Sequence, residues 1–188
     1  MPRVDEKAFE SLALPHLDAV YRFARRLSGD ENEAHDLVQE TYLKAYKAFE
    51  KFELREFGVK PWLLKILHNA FLNRQAKIKR SPFAADQQAL DEMHADESRT
   101  YSDEISQLSL DDLDEEVKTA LERLTPEFRA IILLWGTMEF SYQEIADILG
   151  IPIGTVMSRL HRARSQLLHA LRDYAREQRL GPQEEQKE

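Results

Sequence analysis

Residues 141–171, SYQEIADILGIPIGTVMSRLHRARSQLLHAL, hold the pattern from which the fold can be read. Tyr142, Ile145, Ala146 and Leu149 recur at the spacing of one helical face, and Ser141 with Glu144 has the Ser-x-x-Glu form of a capping box. Gly150 stands where a helix commonly ends in a left-handed residue, and Pro152 bars its continuation. A second helix then opens, with Thr155 as its expected cap and Val156, Leu160, Ala163, Leu167 and Leu171 as its inner face. Its outer face presents Ser158, Arg159, His161, Arg162 and Gln166. Two short helices on a tight turn make a helix-turn-helix, whose second helix lies in the DNA major groove with its first turns toward base edges.

Charge separates this segment from an ordinary helical hairpin. Arg159, Arg162, Arg164 and Arg172 fall between Ile153 and Arg172 without one Asp or Glu, in a chain of formal net charge −8. An acidic protein that keeps one helix clear of negative charge reserves it for phosphate. The acidity itself is local. Between Ser81 and Glu116 twelve acids stand against Arg99, so the rest of the chain carries about +3.

Length and composition narrow the class. The chain has 188 residues, 43% hydrophobic and 32% charged, enough for one medium domain or two small ones. No apolar run approaches the roughly 20 residues of a membrane span, and no signal-peptide core follows Met1, so no membrane insertion is expected. With no cysteine there is no disulfide framework, zinc ribbon or thiol nucleophile, which is compatible with a cytoplasmic protein. Six glycines and seven prolines are too few for a turn-rich β protein, and Ala/Leu/Glu/Lys/Arg-rich segments point to an all-α chain. The six histidines lack metal-ligand spacing and no Gly-rich phosphate loop is present, so no catalytic residue, cofactor or metal is expected.

Along the chain, Phe9 to Leu27 reads as a helix with Phe9, Leu12, Ala13, Leu17, Val20, Tyr21 and Ala24 inward, divisible at Pro15. After the turn at Ser28–Asp30, a helix from Glu31 to Phe49 turns Leu37, Val38, Thr41, Tyr42, Ala45 and Phe49 inward; Asp36, Gln39, Glu40, Lys44 and Lys47 lie opposite. A loop from Phe52 to Lys60 precedes Pro61, which opens a helix through Ile78 with Trp62, Leu63, Ile66, Leu67, Ala70 and Phe71 as its stripe. Two further helices are expected around Val117–Leu124 and Phe128–Gly136. The expected division is therefore two small helical domains, residues 8–80 and 112–175, joined by an acidic flexible linker, 81–111, with a frayed tail, 176–188.

The first domain has its own basic helix. Lys60, Lys65, Arg74, Lys77, Lys79 and Arg80 occur without an acid, beside Phe57, Trp62 and Phe71. Cations that follow phosphates beside rings that stack on bases suit single-stranded or melted nucleic acid, and Asn69 could read a base edge there. Trp62 and Phe71 also fall on the apolar stripe, where a core role is the plainer reading. Two basic modules on one tether can engage two separated DNA sites at a spacing set by something else. A polymerase-independent operator-binding regulator, with residues 1–80 as a dimerisation or sensor domain, fits the same pattern.

These motifs resemble the extracytoplasmic-function (ECF) sigma factors, the small promoter-recognition subunits of bacterial RNA polymerase. TPEFRAIILLWGTMEFSYQEIADILGIPIGTVMSRLHRARSQL is similar to their region 4, AHDLVQETYLKAYKAFEKF to region 2.2, and KPWLLKILHNAFLNRQAKIKR to regions 2.3 and 2.4. The resemblance implies core RNA polymerase, promoter DNA and an anti-sigma factor as partners. It implies that Asp36, Gln39 and Glu40 dock on the β′ clamp helices and that region 4 meets the β flap. The loop with Phe57 would capture a flipped base of the minus-ten element, with Lys60, Lys65, Asn69 and Arg74 along that strand. Thr155, Ser158, Arg159, His161 and Arg162 would face the minus-thirty-five element. The acidic linker resembles a segment that threads the polymerase's RNA exit path. Met157 departs from relatives that carry a basic reader there, and Leu54-Arg55-Glu56 stands where many members have a Gly-containing turn.

Overall fold

A computed structural model describes residues 6–52, 58–79 and 115–171. The described residues form an all-α protein of two compact units, residues 6–79 and 115–171. The expected linker, the tail and the loop residues 53–57 lie outside them. None of the described helices is long and apolar enough to cross a membrane.

The first unit contains α1 (Glu6–Ala13), α2 (Leu17–Ser28), α3 (Glu31–Ala48) and α4 (Val59–Lys79). Pro15 does divide the first helical segment, through a 3-10 turn at Leu14–His16. That turn shifts the helical phase, so the inward stripe expected across Phe9–Leu27 does not continue unbroken. Leu12 and Leu17 are exposed, and Phe23 and Leu27 fill the core instead. Helices α2, α3 and α4 pack together around Phe23, Leu27, Leu37, Leu63, Leu67 and Phe71, all at most 2% exposed. Asp30 caps α3, its carboxylate accepting from the Glu33 N–H at 2.7 Å. Tyr42 donates its hydroxyl to the Ala13 carbonyl at 3.0 Å, tying α1 to α3, and burial raises its pKa to about 12. Pro61 lies in the first turn of α4, where its missing N–H breaks no helical bond.

The second unit contains α5 (Glu115–Glu122), α6 (Pro126–Gly136), α7 (Tyr142–Leu149) and α8 (Ile153–Ala170). Ala130, Ile131, Ile132, Leu133 and Leu134 make α6 the buried centre, and α7 and α8 pack on it and on each other. Arg129 is buried among them. Its guanidinium donates to the carbonyls of Leu121 at 2.9 Å, Glu122, and Leu124 at 3.3 Å. These carbonyls sit at and just beyond the end of α5, where a helix leaves acceptors short of internal partners; Leu121 also accepts from the Leu124 N–H at 3.2 Å. The buried arginine thus closes α5 and fastens it to α6.

One tryptophan stands in each unit, Trp62 and Trp135, so single-tryptophan variants report each unit separately. Arg129→Met in a Trp62→Phe background should destabilise the Trp135 transition in urea by roughly 2–4 kcal/mol, since several buried carbonyls lose their donor. A shift below about 0.5 kcal/mol would show that those bonds do not hold α5. His68, buried in α4 with Nδ1 lacking a partner, has its pKa lowered to about 4 by desolvation. The unfolded chain therefore binds the extra proton between about pH 6.5 and 4, and stability falls as pH drops through that window. His68→Leu in a Trp135→Phe background should flatten that fall by roughly 3 kcal/mol, and an unchanged slope would contradict it.

Candidate nucleic-acid interface and docking face

The turn between α7 and α8 is built as the sequence requires. Ser141 Oγ accepts from the Glu144 N–H at 3.3 Å, and a Glu144 carboxylate oxygen accepts from the Ser141 N–H at 2.8 Å. Gly150 ends α7 at φ 67°, a left-handed conformation that disfavours any side chain, and donates its N–H to the Ala146 carbonyl at 2.8 Å. Two details differ from expectation. Pro152, in extended backbone, precedes α8, and no side chain caps it; Thr155 lies inside the first turn, half-buried. Tyr142 is exposed and Leu149 half-buried, while Ile148 enters the core of α7 at 1% exposure.

On α8, Val156, Leu160, Ala163 and Leu167 are buried and Leu171 is half-buried. That fixes the opposite side outward: Ser158, His161, Arg162 and Gln166 are all exposed. The other described arginines lie on the flanks of the stripe and turn toward α6. Arg159 Nη1 is 4.0 Å from Glu127 Oε2, a long pair with little effect on stability. Arg164 lies 4.9 Å above the Trp135 ring, a cation–π contact. Among the described residues, the arginines of this acid-free helix therefore divide into one outward, Arg162, and two turned toward α6, of which Arg164 packs on the Trp135 ring.

The basic helix α4 is likewise partitioned. Lys65 and Asn69 are exposed one turn apart, and Lys60 is half-buried near its start. Arg74 follows Lys65 by nine residues, about two and a half turns, and so points to the other side of the helix. There its Nε and Nη2 donate to Glu40 Oε2 at 3.1 and 2.9 Å, and Nη1 is 3.6 Å from Asp36 Oδ2. The structure joins Arg74 to the Asp36–Glu40 face of α3 and separates it from Lys65 and Asn69. Phe71 is core, and Phe57 lies outside the described residues. Trp62 packs its ring 4.3 Å from Phe52, which stacks on Phe49 at 6.0 Å, which meets Phe9 edge-on at 5.2 Å. This aromatic row pins both ends of the loop that carries Phe57.

Asp36, Gln39, Glu40, Leu43 and Lys44 line a shallow groove on α3, with Arg74 at its wall. Leu43 is 56% exposed at its middle. Lys44 Nζ is 2.6 Å from Glu40 Oε1, so both Glu40 oxygens are held. Lys44 first, then Arg74, lowers the Glu40 pKa against the opposing effect of burial. The carboxylate is thereby kept ionised and oriented. Sequence spacing could not have paired residues 34 apart on separate helices.

Both units match regions of one known family. Sigma-70 region 2 matches residues 12–81 and sigma-70 region 4 matches residues 114–167. The chain is 35% identical over 170 residues to the ECF RNA polymerase sigma factor SigE of Mycolicibacterium smegmatis, covering 89% of this chain and 61% of that protein. It is 32% identical over 174 residues to the ECF RNA polymerase sigma factor SigW of Bacillus subtilis, covering 90% of this chain and 91% of that one. Among solved structures it is similar to the sigma factor RpoE of Bartonella quintana, crystallised with the anti-sigma factor NepR, at 33% identity and a TM-score of 0.68, over 88% and 98% of the two chains. The chain belongs to the ECF sigma factors of the sigma-70 family. Membership makes it a transcription initiation factor and not an enzyme.

Arg74→Gln should raise the titration of the Glu40 carboxyl, followed by NMR, while leaving it below the ordinary carboxylate value because Lys44 remains. An unchanged Glu40 titration would show that the Arg74 pair is not populated in solution.

Proposed function

We propose that this protein binds core RNA polymerase through the α3 groove and directs it to promoters through two separate helical surfaces, in the cytoplasm and under anti-sigma control. The observation that carries the reading is the division of labour in the first unit. Asp36 and Gln39 are exposed and Glu40 half-buried on one face of α3, backed by Arg74, while Lys65 and Asn69 emerge from the other side of α4. One unit therefore offers a docking face and a nucleic-acid face that do not compete.

In this account the Asp36–Glu40 groove takes the β′ clamp helices, with Leu43 contributing an apolar contact. Lys60, Lys65 and Asn69 follow the melted minus-ten strand, and the loop with Phe57, anchored at Phe52 and Trp62, receives a flipped base. Unstacking costs a few kcal/mol, which contacts to the trapped base offset. Ser158, His161 and Arg162 meet the minus-thirty-five element, with Thr155 and Arg159 at its margin, while the second unit also meets the β flap. Polymerase holds both units at promoter spacing, which makes the second contact nearly intramolecular. An anti-sigma factor that covers these surfaces would silence the protein; the similarity to RpoE, solved with NepR, supports that form of control.

Asp36→Lys should weaken core polymerase binding about tenfold or more, with Arg162→Ala leaving that binding intact and lowering promoter-dependent transcription about tenfold. Fluorescence titration with purified core enzyme and a runoff assay read the two effects separately. If Asp36→Lys bound normally, or Arg162→Ala lost polymerase affinity, the assignment of faces would fail.

A further inference from the structure

The leading turns of α8 carry a feature that phosphate binding does not explain. Ile153 and Met157, one turn apart, are 44% and 54% exposed, and His161 continues the same stripe. The exposed halves of these side chains gain nothing from the fold, whose core on this helix is supplied by Val156, Leu160, Ala163 and Leu167. Gly154, the second residue of α8, puts no side chain beside them, and a Cβ there would meet nothing within 4 Å. Both features leave a smooth, uncharged leading edge suited to something external that approaches closely.

The chemistry of the target follows from where this edge sits. The first turns of a recognition helix face base edges in the major groove. Base edges there present hydrogen-bond donors and acceptors, and one prominent apolar group, the C5 methyl of thymine. Neighbouring charge fits the same occupant: Arg162 is exposed beside the pair, and no acid lies between Ile153 and Arg172. We infer that Ile153 and Met157 form an apolar reader that selects thymine in the upstream promoter element through its C5 methyl. The inference rests on the sigma reading above and adds to it the base that this exposed apolar pair favours.

Removing a single methyl tests it. Duplexes selected by the chain with purified core polymerase, from a library randomised over the upstream element, are resynthesised with deoxyuridine replacing each thymine in turn on both strands. At one or two positions the wild-type holoenzyme should lose about fourfold in affinity, the effect of one buried methyl. Met157→Ala should bind the thymine and deoxyuridine duplexes equally at the position nearest it. Met157→Arg should shift the base selected there toward guanine. Both substitutions fall at an exposed site, and unchanged far-ultraviolet circular dichroism confirms that α8 is intact. Equal binding of thymine and deoxyuridine by the wild type at every position would overturn the inference, as would full discrimination retained in both Met157→Ala and Ile153→Ala. Loss of core polymerase affinity in Met157→Ala, with base preference unchanged, would place the pair against the polymerase and overturn it too. A holoenzyme that selects no upstream element would instead sink the sigma reading itself, so the two failures are distinguishable.

Discussion

The burial of Val156, Leu160, Ala163 and Leu167 against the rest of the second unit is the constraint from which its function follows. A helix has one rotational setting that hides four such side chains, and each larger one is worth about 2 kcal/mol. Turning α8 to present another face would forfeit most of that. The setting decides that Ser158, His161 and Arg162 look outward and that Arg159 and Arg164 turn back to Glu127 and Trp135. The surface proposed to read DNA is thus a by-product of packing. The core aims the helix, and the surface supplies the chemistry.

The same logic operates in the first unit, with a polar interaction added. Packing of α3 on α4 brings Arg74 to Glu40, and Lys44 holds the other carboxylate oxygen. A surface ion pair alone contributes little, but a charged group fixed by two partners loses less freedom when a protein docks on it. Through this pair, the helix that bears the residues proposed to follow nucleic acid also supports the face proposed for polymerase. The aromatic row from Phe9 to Trp62 plays a comparable part for the loop, setting where its ends emerge.

Much of this was legible in the sequence because it depends on local spacing. The capping box at Ser141, the end of α7 at Gly150, the inner face of α8 and the polar face of α3 all follow from periodicity and cap chemistry. What escaped depends on contacts between helices. Arg129 sits within the apolar run FRAIILLW, and only the nearby end of α5 explains it. Arg74 looked like one more cation in an acid-free helix until helical phase placed it opposite Lys65. The expected cap at Thr155 failed because Pro152, already extended, starts α8 three residues earlier. Leu17 was misplaced because a 3-10 turn at Pro15 resets the phase of the stripe before α2 begins.

Taken together, the two units describe a protein whose DNA-reading surfaces become useful when a larger machine holds both on one duplex. The most direct test is multi-round transcription in vitro with purified core RNA polymerase on a randomised promoter library, sequencing the transcripts made with and without the protein. The account predicts a new set of start sites sharing two elements at a constant spacing. Transcripts identical in both reactions, together with tight palindrome-dependent binding of DNA by the protein alone, would contradict it.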